Sequence, residues 1–62
     1  MKETFEKLYK ENIIAFIKSF NKEPNEKDLE AIRHITHIEV ALKGLFILQT
    51  DTNKFIDYYQ NV

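Results

Sequence analysis

The sequence predicts an all-α protein. We expect a small antiparallel helical bundle of two long helices plus a short C-terminal helix, completed by homodimerisation. Three observations carry this expectation. Apolar residues recur at three- and four-residue steps over two long segments. One Gly (Gly44) and one Pro (Pro24) leave too few turn signals for an all-β chain of 62 residues. The middle of the second segment is also too apolar for so short a chain to surround.

The first helix is expected over about 3–21. Phe5, Leu8, Tyr9, Ile13, Phe16, Ile17 and Phe20 fall on one stripe at 3.6 residues per turn, with Lys7, Lys10, Glu11 and Lys18 opposite. Glu3 or Thr4 is placed to cap its start. Pro24 lacks an amide hydrogen and disfavours helical geometry at Glu23, so the helix ends before it.

The second helix is expected over about 26–49. Asn25 with Asp28 three residues on has the spacing of a capping box. Glu26, Asp28 and Glu30 set negative charge at the end where the helix dipole favours it. Ala31, Ile32, Ile35, Ile38, Leu42, Leu45 and Phe46 make an apolar stripe, with Arg33, His34 and His37 on another side. From Ile38 to Leu48 only Glu39, Lys43 and Gly44 are not apolar, and Val40, Ile47 and Leu48 point away from the stripe. A helix apolar nearly all round has to be buried nearly all round.

Gln49 to Asn53 is poor in helix formers, so a break is expected there, with Thr50 or Asp51 capping a third helix over about 52–60. A single bent helix from Asn25 to Gln60 is the competing reading. Tyr58 and Tyr59 point about 100° apart on a helix, so one packs inward and one faces a surface.

Composition narrows the chemistry. The chain has no Cys, which removes disulfides and thiolate metal sites. Nine basic residues against ten acidic ones give a net charge of −1, and Arg33 is the only Arg. That balance argues against sequence-specific nucleic-acid binding. A helix–turn–helix regulator remains an alternative, but its reading helix would open on Glu26, Asp28 and Glu30, whose charge repels phosphates. The segment Met1 to Lys10 is charged and does not resemble a signal peptide. Apolar runs such as Leu45 to Leu48 fall far short of the ~20 residues of a membrane span. The expected location is the cytoplasm. A bias to Lys, Ile, Asn and Phe suggests an AT-rich coding genome, such as a low-GC bacterium, its phages or its plasmids.

No catalytic residue or cofactor is indicated. Ser19 is the only Ser and has no motif around it, and Gly44 stands alone. A domain of this size is expected to lack the walls for a pocket of ~300 Å³ or more. Glu30, His34 and His37, at steps of four and three, are candidates for a metal site or a pH response between about pH 5 and 8. A structural zinc needs four ligands, so an exposed polar face is the plainer reading. Lys7, Lys10, Lys18 and Lys22 form a basic strip that Glu6 and Glu11 interrupt, which reads as a solvated face.

What remains is surface. The candidate dimer or partner interface is Ile38, Val40, Leu42, Leu45, Ile47 and Leu48, together with Ile14 and Tyr58. Gly44 in mid-helix marks either a kink or a close approach by another helix. The expected function is a small non-enzymatic protein-interaction module that regulates or inhibits a larger protein. A nucleic-acid-associated regulator and a metal- or pH-responsive protein using His34 and His37 are the alternatives.

Overall fold

From the end of the first helix to the start of the third, each helix boundary follows from a local hydrogen-bonding device. The computed structural model describes residues 3–62; Met1, Lys2 and the Glu3 side chain, including any cap from Glu3, lie outside the described residues. Helix α1 spans Glu3–Phe20. It stops where Asn21 turns left-handed at φ 54°, donating its N–H to the Ile17 carbonyl at 2.7 Å. Asn tolerates this conformation better than most residues.

Helix α2 spans Glu26–Thr50 and opens with the expected capping box. The Asp28 N–H donates to the Asn25 side chain at 2.9 Å, and the Asn25 N–H donates to the Asp28 carboxylate at 3.0 Å. Each such cap stabilises a helix by about 1 kcal/mol. One residue, Asp51, closes α2 and opens α3, which spans Thr52–Gln60. Its N–H donates to the Ile47 carbonyl at 2.8 Å, while its side chain accepts from the N–H groups of Asn53 and Lys54. Its extended backbone separates two helices where a single bent one was the alternative.

All three elements are α-helices, and there is no strand among the described residues. Both α1 and α3 fold back antiparallel on α2. Phe5 lies beside His37 and Asn12 beside Thr36, whereas Tyr58 reaches Val40. Among the described residues α1 and α3 pack on α2 and not on each other. The bundle expected from sequence is therefore open: α1 takes the N-terminal half of α2, α3 the C-terminal half. The molecule is 41 × 20 × 17 Å. Its radius of gyration is 13.4 Å, against the ~10.6 Å of a compact domain this long.

The inner line of α2 is Ile32, Thr36, Val40 and Gly44, at steps of four. Ile32 and Thr36 are 5% and 0% exposed, and Gly44 is also buried. Thr36 is a hinge of polar contacts. Its hydroxyl donates to the Ile32 carbonyl at 2.8 Å and accepts from Asn12 Nδ2 at 3.0 Å. Asn12 also donates to Glu39 at 2.6 Å. Around this pair, His37 packs on Phe5 with ring centroids 4.5 Å apart, and Arg33 lies over the Tyr9 ring at 5.9 Å.

Gly44 does the corresponding work for α3. A Cβ built there would stand 3.3 Å from the Tyr58 ring and 3.5 Å from that of Phe55. The absent side chain lets the Tyr58 hydroxyl reach the Val40 carbonyl at 2.9 Å. Lys43 Nζ lies 5.8 Å from the Tyr58 ring centroid. Gly44 thus marks a close approach, made by the chain's own third helix. Tyr58 packs inward and Tyr59 faces outward, as their angular separation requires.

Substitutions on both sides of this contact test it. Gly44→Ala should change stability by less than about 1 kcal/mol, since better helix propensity offsets the crowding at 3.3 Å. Gly44→Leu should destabilise by about 1–3 kcal/mol and displace α3; urea unfolding monitored by tyrosine fluorescence reads both. Burial raises the Tyr58 pKa, so the neutral phenol is favoured in the fold. Its contribution is complete below the ordinary phenol value of about 10 and is lost as pH rises through the elevated folded value. Tyr58→Phe should therefore flatten the alkaline fall in melting temperature relative to wild type, and lower stability by about 1 kcal/mol at neutral pH.

Candidate docking surface

Helix geometry puts two faces on α2. At 100° per residue, Ile32, Thr36, Val40, Gly44 and Ile47 share one side. Ala31, Ile35, Ile38, Leu42, Leu45 and Phe46 lie on the side roughly opposite. The structure places α1 and α3 on the first. The stripe read from sequence is thus not the core, apart from Ile32. Ile35, Ile38, Leu42, Leu45 and Phe46 are 53–68% exposed. The physical reason is that α1 docks through the Asn12–Thr36 hydrogen bond and α3 through the Gly44 gap. Neither feature is apolar, so hydrophobic periodicity could not report them.

The residues singled out from sequence divide accordingly. Ile38, Leu42 and Leu45 stand on the outer stripe. Val40 and Ile47 are half-buried within the single chain, and Leu48 is exposed on the flank. Tyr58 is engaged with Val40 and Gly44. Ile14 is exposed on α1. Sequence reasoning left out Ile35 and Phe46 as surface residues, having assigned them to the packed stripe. The signal that identifies them is the four-residue step of small or half-polar positions, Thr36 to Gly44, which marks the inner face.

The area is large for the chain. The accessible surface is 5159 Å², whereas a folded monomer of 7.4 kDa is expected to show ~4,200 Å². The excess, roughly 900–1,000 Å² on that scaling, compares with the ~800 Å² that each partner buries in a standard interface.

Concavities open beside the helices. Because α1 and α3 do not meet, an open trough of about 870 Å³ lies between them over α2, with Phe5, Val40, Gly44, Phe55 and Tyr59 among its walls and Arg33 and His37 on it. The expectation that so short a chain lacks the walls for a large pocket is met in part: the gap between two helices supplies walls on its sides, but the trough stays open to solvent. A smaller cleft of about 220 Å³ lies between α1 and α2, lined by Phe16, Phe20, Ile32 and Ile35 among others.

The polar candidates do not converge. Glu30, His34 and His37 are all exposed along α2, and the His37 ring lies against Phe5. Among the described residues no three potential ligands form a metal-holding group. Among the described residues no helix is long and apolar enough to cross a membrane. Added zinc should leave the melting midpoint unchanged; a rise that His34→Ala abolishes would show that these side chains bind it. No protein-family model, curated protein or solved structure matches the chain.

Proposed function

We propose that the chain is a small, non-enzymatic, cytoplasmic protein-interaction module. It homodimerises through the outer face of α2 and, so completed, regulates or inhibits a larger protein. The observation that supports this reading is the stripe of five large apolar side chains, Ile35 to Phe46, left wet by the chain's own helices. Exposed apolar patches of this extent mark interaction sites. The elongated molecule as a whole exposes more surface than a compact chain of its mass, on this face and in the trough between α1 and α3.

The monomer gives a reason for pairing as well. Ile32 is the one large apolar side chain among the described residues that is buried, and it is still 5% exposed. Removing apolar surface from water stabilises by ~25 cal/mol per Å² before the cost of association. A second copy offers the same apolar stripe to the first, and a two-fold axis matches the two without a second gene product.

Sedimentation equilibrium tests the reading. Wild type should be dimeric at micromolar concentration. Leu42→Lys, which places a charge mid-stripe at an exposed position, should be monomeric with unchanged helix content. A wild-type chain that is monomeric at every concentration would contradict the proposal.

A further inference from the structure

A surface that pairs with itself about a two-fold axis must complement itself. On α2 the positions 31, 35, 38, 42, 45 and 49 alternate steps of four and three, the a and d spacing of a heptad seam. Set antiparallel about position 40, this seam meets its own copy in matched layers. Ile35 faces Leu45 of the second copy, and Ile38 faces Leu42 of the second copy, each pair occurring twice. The end layers set the small Ala31 against Gln49. The two helix dipoles then oppose each other.

Phe46 decides the orientation. It stands beside the seam, on the Ile32 flank, and is 68% exposed. The antiparallel register brings it opposite Ile32 of the second copy. That is where the 220 Å³ cleft opens between α1 and α2, bordered by Phe16, Phe20 and Ile35. A parallel register would set Phe46 against Ala41 instead and leave both clefts unfilled.

We propose that two copies pair through antiparallel α2 helices, with Phe46 of each seated in the Phe16–Phe20–Ile32–Ile35 cleft of the other. This rests on the outer face of α2 being the docking surface. It adds which part of the second copy meets which part of the first. Near the axis the two Glu39 carboxylates approach each other. Each is held toward its own α1 by Asn12. On the opposite flank the two Ala41 residues face each other, small enough for close approach.

The absence of native Cys makes single-Cys cross-linking unambiguous. In a glutathione redox buffer, Ala41→Cys should form a covalent dimer, while Leu42→Cys alone should not. In sedimentation, Phe46→Ala should raise the dimer dissociation constant by about a hundredfold, because two buried aromatic anchors are lost per dimer. Ala15→Trp, which fills the cleft from α1, should weaken the dimer while leaving Phe46 intact. Circular dichroism of dilute samples should show unchanged helix content for Phe46→Ala. A dimer that Leu42→Lys separates but Phe46→Ala does not would overturn this seating and leave the docking face standing. Cross-linking of Leu42→Cys in place of Ala41→Cys would overturn the antiparallel register. A wild-type monomer would overturn both proposals.

Discussion

The four-residue line Ile32, Thr36, Val40 and Gly44 organises everything else in this molecule. Each step of four returns to nearly the same side of an α-helix, so the line forms a shallow groove down one face of α2. One half of the groove holds a hydroxyl that α1 can reach with Asn12. The other half holds a missing side chain that α3 can approach with Tyr58. Both partner helices are thereby drawn to a single side. The larger apolar residues of α2 are left on the other, and the same constraint makes the molecule long and open.

A core this thin places weight on the ends of its helices. Asn25 with Asp28 and the single residue Asp51 satisfy backbone donors that have no intrahelical partner. Buried polar contacts add direction where apolar area is scarce. The Asn12–Thr36 and Tyr58–Val40 hydrogen bonds each tie a neighbouring helix to α2 at a defined register. A hydrogen bond of this kind adds only about 1 kcal/mol. Its larger effect is directional: Thr36 keeps its own bond to the Ile32 carbonyl wherever α1 lies, whereas the Asn12 bond forms at one register of α1 on α2.

Much of the architecture was legible in the residues. The stripe on α1, the Asn25–Asp28 capping box, the weak helix formers near Thr50 and the 100° split between Tyr58 and Tyr59 each report a local rule, and local rules can be read from one chain. Which side of α2 faces inward was not legible. Hydrophobic periodicity points to the Ile35–Leu42–Phe46 side, because it weighs side chains by their affinity for water. Thr36 and Gly44 are chosen for other properties: a hydrogen-bonding hydroxyl, and the lack of a Cβ. Periodicity assigns neither to an interior. The same mistake hid Phe46 as a surface residue and made a trough between α1 and α3 hard to foresee.

Helix α2 thus carries two distinct faces. The inner face holds the chain's own fold together, and the outer face carries large apolar side chains that the chain's other helices leave exposed. The most direct measurement of that division is paramagnetic relaxation of side-chain methyl groups by a soluble nitroxide, followed over a dilution series. In the dilute monomer the methyls of Ile35, Ile38, Leu42 and Leu45 should relax strongly while those of Ile32 and Thr36 stay protected. On concentration the first group should become protected too. Protected Ile35, Ile38 and Leu42 methyls in the dilute monomer, with Ile32 and Thr36 relaxed, would show that α2 faces the other way and contradict the account.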